Sequence, residues 1–294
     1  LQTSIINYQL TINNYQLIRG ILASLTSHPL LASMMIESVI TAKFWILTGG
    51  GLFSGILAGI LGIGGGTVLV PLLVTLGYSP VKAVATSSLA ILITATSGTV
   101  QNWRMGYINA QKVIYLGIPA IFTAQVGAYL ASRVVSYLLL TTFGLLLLLN
   151  IYLVELRKRI IAKEESVNRQ EFNPVVSRIG TGGAAGLLAG FFGVGGGVIM
   201  VPLQMLLLAE PIKVAIQTSL GVIIITAISA CVGHALMGNV LLLEGIVLGA
   251  GGLLGAQFGT RYLPKLSDQT VSLTFRTMLG ILSIYMFWQA WRSF

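Results

Sequence analysis

Gly62-Ile63-Gly64-Gly65-Gly66-Thr67-Val68-Leu69-Val70-Pro71 returns later in the chain as Gly193-Val194-Gly195-Gly196-Gly197-Val198-Ile199-Met200-Val201-Pro202. The copies stand 131 residues apart, and that spacing persists through Pro80-Val81-Lys82 against Pro211-Ile212-Lys213 and Ser88-Leu89 against Ser219-Leu220. After a slip of one residue the match resumes as Ala124-Gln125-Val126-Gly127 against Ala256-Gln257-Phe258-Gly259. Four agreements in the same order over about a hundred residues mark a duplication. Its units are 44–156 and 175–294, joined by a polar linker at 157–174.

The material around these motifs is apolar. The 294 residues are 55% hydrophobic and 9% charged, with a mean hydropathy of +0.89, where a soluble domain carries about 25% charged residues. Continuous apolar blocks at 44–63, 83–103, 113–132, 136–156, 175–194, 214–236, 239–262 and 270–290 approach the length a helix needs to cross a hydrocarbon layer. Two shorter blocks, 66–77 and 197–209, follow the glycine clusters. A β-barrel would alternate in short segments, so the expected class is all-α: a polytopic transmembrane helix bundle whose partner is the lipid bilayer. The net charge of +9 reads as basic loops held on one membrane face, not as a nucleic-acid surface. One cysteine, Cys231, excludes an intrachain disulfide, and no Cys/His spacing suits a metal, so neither metal nor cofactor is expected.

Residues 1–43 form an extension unlike the rest. Asn7-Tyr8-Gln9-Leu10 recurs as Asn14-Tyr15-Gln16-Leu17, and residues 1–33 resemble translated upstream repeat DNA, with a start expected at Met34 or Met35.

Each unit begins with small residues on one helical face, Gly51, Gly55 and Gly59, echoed by Gly182, Gly186 and Gly190, which lets another helix approach closely. Each then breaks at its glycine cluster, so each repeat holds about five hydrophobic segments, including a short broken or re-entrant helix. If each unit reverses sides, Arg104, Lys112, Arg157, Lys158, Arg159, Lys163, Arg169, Arg178, Lys213, Arg261, Lys265 and Arg276 gather on one face. Only Lys43, Lys82, Arg133 and Arg292 then lie opposite. That split obeys the positive-inside rule better than the alternative, so the repeats are expected to be inverted and the linker cytoplasmic.

Inverted-repeat transporters place substrate at the midplane, at broken helices. The glycine clusters are the only paired breaks, and each opens a short helix whose first amides lack intrahelical partners at the positive end of the helix dipole. Two such ends facing one cavity would bind a small anion without a buried cation. Tight packing alone is the competing explanation. Neither cluster is a P-loop, since no Gly-Lys-Ser/Thr follows, and the dinucleotide spacing is absent. Polar residues recur nearby: Thr86-Ser87-Ser88 against Gln217-Thr218-Ser219, and Gln125 against Gln257. Such groups usually form interhelix hydrogen bonds, but their recurrence makes them candidates for a pathway. His234, which falls where the first half has Asn102, and Glu244 near a segment end are candidates for coupling to protons, with Asn102 a candidate for the pathway. Paired aspartates, a Ser/His dyad and a His-Glu pair are all missing, since Asp268 is the single Asp and only two His occur, so no enzyme is expected.

The tandem glycine-cluster–apolar–Pro units, each followed by Pro-x-Lys-Ala/Val and Thr/Gln-Ser/Thr-Ser-Leu, resemble the TauE/SafE sulfite exporter family over about 44–290. The resemblance implies a secondary transporter of the bacterial cytoplasmic membrane handling sulfite, sulfonates or related anions. It implies a substrate site at Gly62, Gly64, Gly65, Gly66 and Pro71 with Gly193, Gly195, Gly196, Gly197 and Pro202. The clusters Thr86, Ser87, Ser88 and Gln217, Thr218, Ser219 would flank it, asymmetrically where Gln217 replaces Thr86. Alternating access is expected by rocking of one half against the other. A membrane channel and a non-catalytic assembly factor are the alternatives, and a homo-oligomer is left open.

Overall fold

A computed structural model describes residues 29–163 and 174–293. The tandem repeat near the N-terminus and linker residues 164–173, Ser166 among them, lie outside the described residues. Two compact units divide at residues 46 and 47, and the fold below is that of Leu47–Ser293. Its elements are helical, with no strand among the described residues. The order is α1 (Pro29–Leu61), α2 (Gly66–Thr75), α3 (Pro80–Arg104), α4 (Ala110–Ala131), α5 (Ser136–Lys163), α6 (Pro174–Phe192), α7 (Gly197–Leu207), α8 (Ile212–Leu236), α9 (Leu242–Tyr262), a 3₁₀ turn (Leu263–Lys265) and α10 (Asp268–Arg292). Eight of these helices are long and apolar enough to span a bilayer, while α2 and α7 are not; the chain is a multi-pass membrane protein. The linker is shorter than its polar composition suggests, because α5 continues helical through Arg157-Lys158-Arg159 to Lys163.

Helix ends follow local chemistry. Asn109 caps α4 by accepting the Lys112 amide at 3.0 Å, and Ser267 caps α10 through the Thr270 amide at 3.1 Å. Gly106 and Gly238, both left-handed, turn the chain after α3 and after α8. The hairpin α1–α2 folds back on itself. Ser54 Oγ donates to the Gly65 carbonyl at 2.8 Å and Leu72 lies over Gly50, so α2 runs antiparallel along α1.

The small residues act as expected, but between the halves. Gly51, Gly55 and Gly59 of α1 lie on the backbone of Leu248, Gly252 and Gly259 of α9. Gly182, Gly186 and Gly190 of α6 lie on Leu116, Ala120 and Ala124 of α4. In both cases positions rise together, so the partners are parallel. A third helix joins each pair in the same sense. Leu89 and Ile93 of α3 cover Gly245 and Gly249 of α9, and Ser97 Oγ donates to Leu253 at 2.7 Å. Ile225 of α8 covers Gly117 of α4, and Ser229 Oγ donates to Ile121 at 2.7 Å. Two parallel three-helix sheaves result, α1–α3–α9 and α4–α6–α8, meeting where α3 packs on α8. Beside them α5 and α10 run antiparallel: Gly144 faces Phe287, Ile151 faces Gly280, and Glu155 pairs with Arg276 at 2.6 Å.

The sequence halves are therefore not side-by-side lobes. Every sheaf mixes helices of both, and rocking of one half as a rigid body against the other is incompatible with this interweaving.

Candidate functional site

The two breaks share one backbone. Gly62, Gly64 and Gly65 have φ of 67°, 74° and 81°, and Gly193, Gly195 and Gly196 have 64°, 74° and 78°. Side chains other than hydrogen are strained there. Gly65 and Gly196 occupy the N-cap positions of α2 and α7, with no side chain capping either helix. The loops touch reciprocally: a Cβ on Gly66 would collide with the Gly193 carbonyl, and one on Gly197 with the Gly62 carbonyl. Ile91 and Ile223, halfway along α3 and α8, pack against Gly64 and Gly195. The paired breaks thus lie at the middle of the two most buried spans.

Serines fix the loop carbonyls from across the interface. Ser87 Oγ of α3 donates to Gly193 O at 2.7 Å, and Ser219 Oγ of α8 donates to Gly62 O at 2.8 Å. The amides are a different matter. Those of residues 63–67 and 194–198 meet no acceptor among the described residues, although all ten residues are buried. A buried amide without an acceptor carries a desolvation penalty of about 1–3 kcal/mol, so native proteins supply a partner. The dipoles of α2 and α7 add positive potential at the same place, and no Lys or Arg is buried among the described residues to do so instead. The site offers neutral donors only, the loop amides and the buried, unpartnered Thr67 hydroxyl.

Structure shifts the pairing of the flanking residues. Ser219 is the counterpart of Ser87, not Ser88, and Thr218 that of Thr86; Gln217 corresponds to Ala85. The one-residue slip falls earlier than the sequence match suggests, because α7 is one residue longer than α2 and Pro211 caps α8 where Pro80 already lies inside α3. Thr86 and Gln217 are thus not counterparts, and the threonine is kept in both copies as Thr86 and Thr218.

The remaining candidates divide. Thr86 Oγ1 accepts the Leu241 amide at 3.1 Å, fixing the start of α9. The Ser88 side chain bonds only to Val84 O in its own helix, and those of Gln217 and Thr218, both buried, make no hydrogen bond among the described residues. Gln125 Nε2 donates to Ser229 O at 2.6 Å, and Gln257 Nε2 to Ser97 Oγ at 3.1 Å, so both glutamines clamp helices within a sheaf. Pro71 and Pro202 sit inside α2 and α7, away from the loops, where each removes the donor to the carbonyl four residues back. Asn102 is fully buried with neither amide atom bonded. His234 Nε2 donates to Gly190 O at 2.8 Å, leaving Nδ1 unpartnered. Ser54, Ile91 and Ile223 were not legible as site residues, since only the fold brings them to the glycines. No group of His, Cys, Asp and Glu among the described residues could hold a metal.

The chain is similar to known proteins. The family model for sulfite exporter TauE/SafE matches residues 47–286. The chain is 27% identical over 277 residues to the "Probable membrane transporter protein YunE" of Bacillus subtilis, covering 84% of this chain and 98% of that one. It is 28% identical over 240 residues to "Probable membrane transporter protein YdhB" of the same organism, covering 79% and 96%. A shorter stretch of 84 residues is 33% identical to "Sulfite exporter TauE/SafE family protein 6" of Arabidopsis thaliana, covering 29% of this chain and 20% of that one. No solved structure matches.

Proposed function

The chain belongs to the sulfite exporter TauE/SafE family, and on that premise we propose that it is a secondary transporter of a small sulfur-containing anion, sulfite or a sulfonate, in the bacterial inner membrane. One observation carries the choice of an anion. Ten buried amides in two touching loops have no acceptor among the described residues, and an oxyanion supplies several acceptor oxygens at once. Soft thioether or thiol ligands are absent from the loops, and no buried cation among the described residues adds charge that would hold the anion too tightly for release.

The repeats are inverted in this proposal. The antiparallel run of α5 against its counterpart α10 supports it. So does the hairpin α1–α2, which returns the chain to its starting side before three crossings complete the half. The parallel sheaves also bring Lys213, Arg261 and Lys265 to the same end as Arg104 and Lys112, in keeping with a basic cytoplasmic face. Alternating access then moves the α1–α3–α9 sheaf against the α4–α6–α8 sheaf across α3 and α8, with the glycine loops at the seam. Energy comes from an ion gradient or the anion's own gradient, since the chain has no nucleotide-binding motif.

Uptake of labelled sulfite, an alkanesulfonate and thiosulfate into proteoliposomes, with and without a pH gradient, tests the proposal. Saturable flux of at least one is expected, and dependence on the imposed gradient identifies proton coupling. No flux of any of them through correctly inserted protein would overturn it.

A further inference from the structure

The register placed by the fold, 132 residues from the Gly77/Ala209 corners onward, pairs Tyr78 with Glu210 and Lys112 with Glu244 as counterparts. These four residues meet crosswise. Tyr78 Oη donates to Glu244 Oε1 at 2.8 Å, and Lys112 Nζ pairs with Glu210 Oε1. Each contact joins the corner between a short helix and the next long one (α2–α3, α7–α8) to the first turn of a helix from the other half (α9, α4). In the first the corner donates and the helix accepts; in the second these roles are reversed. Both members differ between the copies, yet each contact keeps one donor and one acceptor. Independent drift at four positions would not preserve complementarity twice.

Their positions give the contacts a use. Tyr78 precedes the first residue of α3 and Lys112 follows its last, so the two contacts lie at opposite ends of a helix about 37 Å long. Each secures the far end of a short helix whose near end is a glycine loop. The short helix is the element that leads from that surface to the buried loops, and it is bounded at both ends by left-handed residues. The corners have Gly77 at φ 88° and Ala209 at φ 51°, the latter the one non-glycine with positive φ among the described residues. A few residues absorbing such φ changes are what hinged gates require.

We propose that the corners of α2 and α7 are the two gates of this transporter, latched shut by Tyr78–Glu244 at one membrane face and by Lys112–Glu210 at the other. The inference rests on the transport proposal for its purpose, but its test needs no substrate. In a Cys231→Ser background a reporter is placed by Ser88→Cys beside the glycine layer, and labelling by a membrane-impermeant maleimide is followed from each side of oriented vesicles. Tyr78→Phe raises labelling from the face of the α2 corner alone, and Lys112→Met from the opposite face alone, each by between about twofold and tenfold, the weight of one such contact. The reversed pair Lys112→Glu with Glu210→Lys returns labelling to the parent rate, which separates latching from loss of fold. Equal changes at both faces, or none, would overturn the latches. Side-specific labelling without flux of any sulfur anion would instead sink the substrate assignment and leave the gates standing.

Discussion

At the first break Ser54 Oγ donates to the Gly65 carbonyl; at the second the equivalent place holds Ala185, whose own carbonyl lies where a Cβ on Gly196 would need to be. The backbone φ values of the two loops agree within a few degrees, and their serine ties from α3 and α8 agree within 0.1 Å. What differs is the support behind each loop, a rotatable hydroxyl in one copy and a fixed peptide group in the other. Duplication has held the geometry that presents amides and let the scaffold behind it diverge. The loops are therefore equal in presenting amides and unequal in tolerance, and substitutions can separate the two properties.

The largest effects should ignore the inequality. Gly65→Leu and Gly196→Leu each combine left-handed strain with overpacking, together about 3 kcal/mol or more. Flux in proteoliposomes is expected to vanish in both, with lowered melting temperatures in detergent. Full transport by either variant would mean that the loop amides do not form the site. Alanine should expose the difference. Gly196→Ala meets the Ala185 carbonyl, whereas Gly65→Ala meets first the Ser54 hydroxyl, which can turn aside. The second-loop variant should be the less stable by about 1 kcal/mol, and Ser54→Ala should recover part of the loss from Gly65→Ala but none from Gly196→Ala. Thermal melts of the four proteins decide it.

The serines should behave alike. Ser87→Ala and Ser219→Ala each free one loop carbonyl, and each should lower stability by about 1 kcal/mol, the range measured for side-chain hydrogen bonds inside membranes. A gap much larger than their common loss would break the equivalence drawn between them, and with it the register on which the gate pairs depend.

That register shows how far the sequence can be read. The duplication, the helical breaks and eight spans are legible because glycine clusters and apolar length are local signals. The location of the slip is not: Pro-x-Lys matches in both halves, but α7 carries one more residue than α2 before its corner, so the identical letters fall one rung apart. Only hydrogen bonds from Ser87 and Ser219 to opposite loops settle which residues correspond. The crosswise contacts of Tyr78, Lys112, Glu210 and Glu244 were invisible for the same reason. Interweaving of the halves is a tertiary fact with no periodic trace, since a small-residue face says that a helix packs closely and not on what.

Asn102 and His234 give the smallest effect and the finest contrast. The Gly190 carbonyl belongs to the last turn of α6, where the chain leaves the helix before an amide can reach it, and His234 Nε2 takes that amide's place. The counterpart carbonyl, Gly59 in the last turn of α1, has no partner among the described residues, and Asn102 lies buried with its amide unbonded. One histidine thus caps a helix end that the shorter asparagine leaves open. His234→Leu should lower stability by about 1 kcal/mol by orphaning a buried carbonyl, while Asn102→Leu, removing two unsatisfied groups, should be neutral or slightly stabilising. Asn102→His should gain part of the missing cap. A proton carrier would behave otherwise: His234→Gln would then abolish the response of flux to an imposed pH gradient while the protein still melted near the parent temperature. A cap predicts that flux and melting temperature fall together.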